Sequence, residues 1–466
     1  MAMTPRARPE AGTVLLLCDA LLALIAWPLA IGGGIPDARV LVWLLYPACF
    51  VLFLYALGLY RRETLLETRR AMARGVVAAL LGGVVATLVL ATSLAFLDGG
   101  ARGAAIWSVF ALSVVVFSAT AFAGRVALSL LRRRGAFRRR LLVVGAGERA
   151  FDLIVLLRRE GRMLGYDLAF LHDEATMGPI DPRLAADPAC RILPYGRRFL
   201  AAARAFGADQ IIVAPDERRG LPMEALLACR IAGFPVQEYL QFLEREIRRV
   251  DIKRLEIAWL LYSDGFVFGP LDRWLKRALD VAVSGGLLLL ASPFLLAAAL
   301  AVRLEDGGPA LYRQERVTRG GRVFRILKLR TMRVDAEKFG AVWATDRDPR
   351  ITRFGSFMRR SRIDELPQLI NILKGDMSFV GPRPERPEFV KDLAAKLPLY
   401  EERHTVRAGL TGWAQVNYPY GASLDDARSK LSYDLYYVKN FSVLFDLLII
   451  LQTLRVVLWP GAAGAR

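Results

Sequence analysis

Four apolar stretches near the N-terminus constrain the fold of this chain more than any other feature. They run over Thr13–Ile31, Val40–Leu59, Gly75–Leu97 and Ala105–Leu131, each close to the ~20 residues a helix needs to cross a bilayer. Hydrocarbon offers no partner to backbone N–H and C=O groups, so such stretches are expected as helices. The connections between them are unequal in charge. Tyr60–Arg74 carries Arg61, Arg62, Arg69, Arg70 and Arg74, and Arg132–Arg140 reads RRRGAFRRR, whereas Gly32–Arg39 and Asp98–Gly103 carry one arginine each. The positive-inside rule then puts both ends of the four-helix unit in the cytoplasm. No span carries an ionisable residue at its centre that suggests a transport path, so the unit reads as an anchor. The first stretch lacks a small-residue cleavage site and is followed by further spans, so no removable signal is expected.

Composition agrees with a membrane protein. Of 466 residues 54% are hydrophobic, and 64 lysines and arginines against 45 acids give a net charge of +19. Nucleic acid, anionic lipid and phosphorylated substrates all suit such a charge. Apolar spans interleaved with arginine clusters favour the membrane and leave nucleic acid without support. Cys18, Cys49, Cys190 and Cys229 show neither metal spacing nor a disulfide framework, and His172 and His404 lack ligand partners at useful spacing.

From Arg140 the pattern becomes α/β. Strands are expected at Leu141–Val144, near Leu171, at Gln210–Ala214 and at Pro235–Tyr239, with helices through Arg159 and around Pro222–Ala232. This alternation predicts a parallel sheet. The first strand runs into Gly145-Ala-Gly147-Glu-Arg-Ala150, a loose form of the dinucleotide fingerprint. A nucleotide site and a purely structural turn are both compatible with it.

A second apolar run, Val281–Val302, is long enough to cross, but Ser292 and Pro293 interrupt its middle. Pro293 removes a backbone hydrogen bond and Ser292 can satisfy the carbonyl so freed, allowing a bend. Cations flank both sides: Arg273, Lys276 and Arg277 before the run, and Arg303, Arg313, Arg316, Arg319 and Arg322 after it. The expectation is a helix that enters the membrane and turns back, keeping both ends cytoplasmic. A strand with cations on one face is expected through Val323–Arg330, including Lys328 and Arg330.

The chemistry concentrates in Arg359–Pro384, RRSRIDELPQLINILKGDMSFVGPRP. Pro367 cannot sit deep in a helix, so a helix is expected to start close to Asp364. Free N–H groups in a first turn favour an anion there, whether a capping carboxylate or a nucleophile with phosphate beside it. Arg359, Arg360 and Arg362 precede it, and Arg383 follows in a stiff Gly-Pro-Arg-Pro turn; arginine forks suit diphosphate oxygens.

The ordered string Arg-x-x-Ser-Arg-Ile-Asp-Glu-Leu-Pro-Gln-Leu, Asn371, Gly375-Asp-Met-Ser378 and Gly381-Pro-Arg-Pro closely resembles the core of bacterial sugar transferases. These are the monotopic phosphoglycosyl transferases that load a sugar phosphate onto polyprenyl phosphate. Lys328-Leu-Arg330-Thr-Met332, the block Arg407–Asn417 with Gln415, and Lys430–Asn440 are similar to further family motifs. Ala408 replaces the usual proline after Arg407. The resemblance is close from Asp272 onward and looser over the rest of the chain.

What the resemblance implies is transfer of a hexose 1-phosphate, glucose or galactose, from a UDP-sugar to undecaprenyl phosphate at the bacterial inner membrane, with the active site facing the cytoplasm. Asp364 would attack the β-phosphorus and Glu365 would serve as metal partner or proton acceptor. Both carboxylates would hold Mg²⁺, and Lys328, Arg330, Arg359, Arg383 and Gln415 would bind substrate. The expected fold class is therefore a membrane protein, α and α/β. It comprises a four-helix transmembrane bundle over 1–134, a Rossmann-like α/β domain over 135–250, a linker over 251–271 and, over 272–466, a catalytic α+β domain carried on the re-entrant helix. Oligomeric state, a homodimer included, stays open. A nucleotide-sugar dehydratase would need Tyr-x-x-x-Lys, and none of the fourteen tyrosines has lysine four positions on. A non-catalytic scaffold for polysaccharide assembly is the remaining alternative.

Overall fold

In the computed structural model the described residues are 11–31, 39–60, 68–98, 103–133, 137–159, 163–188, 190–194, 199–217, 221–252, 265–266, 269–334, 336, 348–418, 421 and 423–458. Arg61, Arg62, Arg134 and most of the expected linker lie outside them. The chain divides into two compact units, Met1–Ile247 and Arg248–Arg466.

The first unit opens with four helices, α1 (Ala11–Ile31), α2 (Arg39–Ala56), α3 (Thr68–Asp98) and α4 (Gly103–Arg133). By length and composition α1, α3 and α4 can cross a bilayer, while the apolar part of α2 is the shorter Val42–Ala56. The helix α2 stops before Gly58, which takes a left-handed φ of 72°. Aromatic side chains fill the bundle. Trp27 stacks on Tyr46 at 5.1 Å and Phe50 on Phe117 at 4.6 Å between ring centroids, while Trp27 Nε1 donates to the Val42 carbonyl. Outward positions such as Leu17, Leu21, Leu29, Leu88 and Val115 are exposed and apolar, as a lipid-facing surface requires.

The bundle interior holds one surprise. Asp19 of α1 and Arg125 of α4 form a buried ion pair at 2.8 Å. The expectation that no central ionisable residue marks the spans overlooked this pair, because each partner lies off the middle of its own helix and only packing brings them together. The arrangement joins two helices, and the ring of Tyr60, just past α2, lies 5.8 Å from the Arg125 guanidinium.

The same unit continues as a parallel sheet of five strands in the order β3-β2-β1-β4-β5. These are β1 (Arg139–Val144), β2 (Tyr166–His172), β3 (Arg191–Pro194), β4 (Gln210–Val213) and β5 (Val236–Glu238), with α5 (Glu148–Arg159), α6 (Phe199–Phe206), α7 (Met223–Ile231) and α8 (Tyr239–Ile247) packed around them. Leu141, Leu142, Val143 and Val144 of the central strand are all fully buried, as a strand covered on both faces should be. The strand β3 was not expected. It has four residues and ends in a proline, which an edge tolerates and a sequence pattern hides.

The second unit is built on α9 (Pro270–Asp306), one continuous 37-residue helix. It does not break at Ser292–Pro293. Pro293 has no N–H for the Leu289 carbonyl, and Ser292 Oγ donates to that carbonyl instead at 2.8 Å. The hairpin β6 (Leu311–Val317) and β7 (Val323–Leu329) follows. Next come α10 (Arg353–Ser361), α11 (Gln368–Lys374), β8 (Ser378–Val380), α12 (Pro387–Lys396), β9 (Gly409–Thr411), α13 (Leu424–Lys439) and α14 (Val443–Leu458). The core joins β7, α11, β8, α13 and α14 through Ile326, Leu369, Ile372, Phe379, Trp413, Tyr437 and Ile449. Val250 and Ile252 pack with Leu393, Leu397 and Leu435, so the chain is fastened to this unit from its first residues. The helix α14 is inverted relative to a soluble one: Asp446, Gln452 and Arg455 are buried while Leu444, Leu454 and Val457 face outward.

Candidate active site

Asp364 lies on a single 3-10 turn, Ile363–Glu365, between α10 and α11. Two residues make that turn. Arg362 ends α10 in the left-handed conformation, φ 60° and ψ 14°, which costs a non-glycine residue about 1–2 kcal/mol. Pro367 occupies the N-cap of α11. The helix therefore begins at Gln368 and not at Asp364, and Asp364 is not its cap. Its Oδ1 is buried and has no hydrogen-bond partner. Burial and the neighbouring Glu365 charge push the Asp364 carboxyl up to about 6, against the pull of Lys328, Arg359 and Arg362.

Glu365 is treated oppositely. Its Oε1 meets Arg383 Nη2 at 2.8 Å and Lys328 Nζ at 3.5 Å, and its Oε2 meets Arg362 Nη1 at 3.5 Å. Burial opposes its charge, but Arg383, Lys328 and Arg362 together hold its carboxyl well below the usual range. Burial in turn lowers the Lys328 ammonium from its ordinary value. Adjacent carboxyls driven apart in this way take different tasks. Glu365 stays ionised as the hub of three cations, while Asp364 keeps a lone-pair oxygen that nothing in the protein engages.

The supports of this turn come from far along the chain. The strand β7, which carries Lys328, pairs with β6 on one side only. Along its open edge Asn371 of α11 accepts from the Leu327 N–H and donates to the Arg325 carbonyl, both at 2.9 Å. The Gly381–Pro384 turn has two prolines without N–H groups, so its carbonyls need donors from outside. Arg403 Nη2 donates to the Arg383 carbonyl at 2.9 Å, and Arg316 Nη1 to the Pro384 carbonyl at 3.2 Å. Arg403 is itself held by Asp434 and Tyr400. Arg403 was not singled out in the sequence, and Arg316 only as one of the cations after the second apolar run; the proline-rich turn was the signal for their role here.

The remaining expected substrate residues are spread around this centre. Arg359 reaches Asp364 through its charge and donates to Thr331 Oγ1 at 2.9 Å. Arg330 Nε donates to the Pro309 carbonyl just after α9. Gln415 Nε2 donates to the Leu410 carbonyl, and its Oε1 is buried without a partner. For a divalent cation, Asp364 Oδ1 is an open hard-oxygen donor, whereas both Glu365 oxygens face cations. No cluster of three or more His, Cys, Asp or Glu stands among the described residues. This donor set fits Mg²⁺ held through one carboxylate and completed by substrate phosphates and water, a common arrangement for that ion.

The bacterial sugar transferase family profile matches residues 271–460. A UDP-N-acetylgalactosamine-undecaprenyl-phosphate N-acetylgalactosaminephosphotransferase of Aeromonas hydrophila is 43% identical over 246 residues, covering 52% of this chain and 57% of that protein. A UDP-glucose:undecaprenyl-phosphate glucose-1-phosphate transferase of Caulobacter vibrioides is 43% identical over 41% of this chain and 73% of its own length. The exopolysaccharide production protein PSS of Rhizobium leguminosarum is 40% identical over 41% of this chain and 98% of its own length. The chain thus spans little more than half of the Aeromonas protein and nearly all of the Rhizobium one.

Proposed function

The chain belongs to the bacterial sugar transferase family, and on that premise we propose that it moves a hexose 1-phosphate from a UDP-sugar to undecaprenyl phosphate with release of UMP. The observation that carries this reading is the unpartnered Asp364 Oδ1 beside the cation cluster centred on Glu365. Asp364 attacks the β-phosphorus, the bond from that phosphorus to the bridging oxygen breaks, and UMP leaves with the bridging oxygen. The resulting phosphosugar–aspartate ester is opened by an oxygen of undecaprenyl phosphate, which regenerates the carboxylate. Dividing a displacement between two anions into two steps lets each phosphate be seated separately. Lys328, Arg359, Arg362 and Arg383 surround the place where phosphate charge develops, and Glu365 keeps that cluster from repelling itself. Mg²⁺ at Asp364 would supply further charge neutralisation for the diphosphate. A scaffold without catalysis has no use for a buried, unpaired carboxyl oxygen set beside a cluster of cations, at a cost of about 1–3 kcal/mol.

The membrane placement belongs to the same reading. Near its start, Arg277 of α9 donates to the Ile372 and Leu373 carbonyls, and near its end Glu305 accepts from the Phe354 N–H. The segment between these two anchor points carries Arg359, Arg360, Arg362, Asp364 and Glu365 and cannot run through hydrocarbon. On this reading both ends of α9 sit at one face, the cytoplasmic one that UDP-sugars reach.

The test is incubation of the full chain in lipid with labelled UDP-glucose, UDP-galactose or UDP-N-acetylgalactosamine, with Mg²⁺ and no acceptor. One sugar should leave label on the protein and release UMP; Asp364→Asn should retain none. Label on that variant would remove the nucleophile assignment, and no UMP from any sugar would remove the reaction.

A further inference from the structure

The glycine turn after β1 lies where a doubly wound sheet takes a dinucleotide: at the carboxyl end of the strands, beside the boundary between β1 and β4 where the strand order reverses. In that setting the first N–H groups of the helix after β1 would receive the pyrophosphate. Here they have a resident partner. Asp216, just past β4, accepts from the Glu148 N–H at 2.6 Å through Oδ2 and from the Arg149 N–H at 2.8 Å through Oδ1. A two-oxygen anion already occupies the phosphate's seat, and it is part of the chain.

The rest of the fingerprint is spent the same way. A Cβ on Gly147 would come within 2.0 Å of Asp216 Oδ2, so this glycine makes room for the carboxylate. Gly145, at φ 108°, would bring a Cβ within 2.7 Å of the Ala214 carbonyl, so its freedom serves the passage of the turn beside β4. The end of β2, where an acid would take a ribose hydroxyl, carries His172 and then Asp173, which caps the next short helix by accepting from the Ala175 N–H at 3.3 Å; the histidine is turned to the backbone. Its Nδ1 accepts from the Ala146 N–H at 3.0 Å, and its Nε2 faces the Gly178 carbonyl at 2.9 Å. An Nδ1 that accepts leaves the proton on Nε2, so both ring nitrogens are committed to backbone. Turn and helix start are both satisfied internally.

We infer that this domain takes no dinucleotide or other phosphate-bearing ligand at its glycine turn, and that Asp216 acts there as a built-in anion stapling β4 to the start of α5. A phosphate arriving from solution would have to displace a tethered carboxylate, whose effective concentration beside the turn reaches the millimolar range or above. It would also meet that carboxylate's negative charge.

The first N–H groups of a helix have no acceptor within the helix, so the Glu148 and Arg149 amides report directly on Asp216. The experiment is hydrogen exchange of the full chain in lipid nanodiscs, resolved to single amides. In the wild type these two amides should be protected to the same degree with and without millimolar NAD, UDP or pyrophosphate. Asp216→Ala should speed their exchange roughly tenfold or more, the scale set by one or two lost hydrogen bonds. Asp216→Asn, which keeps one acceptor and serves if the alanine variant does not fold, should speed one of the two. Slower exchange at Glu148 or Arg149 in the wild type on adding any of the three ligands would overturn the inference, as would unchanged exchange in the Asp216 variants.

Discussion

Two neighbouring carboxyls at the candidate site have opposite surroundings, and their titration should show it. With divalent metal removed by chelation, Asp364 should take up a proton as pH falls through about 6, whereas Glu365 stays ionised well below that. The sign follows from burial and a like charge, both of which favour the neutral form of Asp364. Glu365→Gln should therefore move the Asp364 midpoint downward, which infrared spectroscopy of the protonated carboxyl can follow; an upward move would contradict the account. Arg403 acts at one remove, by holding the Arg383 carbonyl. Arg403→Lys keeps a cation for Asp434 but loses the fork, so the variant should stay folded while the rate of Asp364 labelling falls about tenfold or more, equivalent to ~1.4 kcal/mol. KM for the UDP-sugar should move less than kcat, since the substrate's cations are all still present. Loss of fold without that split would make Arg403 structural only.

Among elements, α9 bears most on the membrane question. Cysteines at Arg273 and Leu304, each one position from a residue fastened by side-chain bonds or from the end of the helix, should both be shielded in intact cells and both react in inverted vesicles with an impermeant thiol reagent. Reaction of one but not the other in intact cells would show a crossing. The pair of residues at its middle was legible in the sequence because the chemistry is local: a proline removes one donor and the serine before it can supply one. The same holds for β1 and α5, whose apolar run and periodicity are carried by adjacent residues. The start of α11 was not legible, because a left-handed Arg362 is a property of the packed turn and no residue type announces it. Nor was the role of Glu365 as a cation hub, since Lys328, Arg362 and Arg383 come from three separate segments that only the fold assembles. The pairing of Asp216 with the α5 N-terminus likewise joins residues 68 and 67 positions apart.

At the scale of the whole molecule, polarity is turned inside out wherever lipid is the solvent. The bundle buries Asp19 with Arg125, and α14 buries Asp446 against Lys276 Nζ at 2.5 Å while showing leucines outward. Removing one partner of such a pair strands the other charge, at about 3–5 kcal/mol. Asp19→Asn should lower the thermal midpoint of the full chain in detergent, and Asp19→Leu combined with Arg125→Leu should recover most of the loss; equal loss in both would show that shape, not charge, is what the pair supplies. The burial of Arg403 has a different consequence, for ionic strength. The +19 net charge of the whole chain acts through water, where ~0.15 M salt cuts a charge's reach to about 8 Å. The Arg403 guanidinium, with 5% of its side chain exposed, lies where mobile ions do not enter. Added salt should slow the arrival of a dianionic sugar nucleotide while leaving the Arg403–Asp434 support beneath the Arg383 turn at nearly full strength.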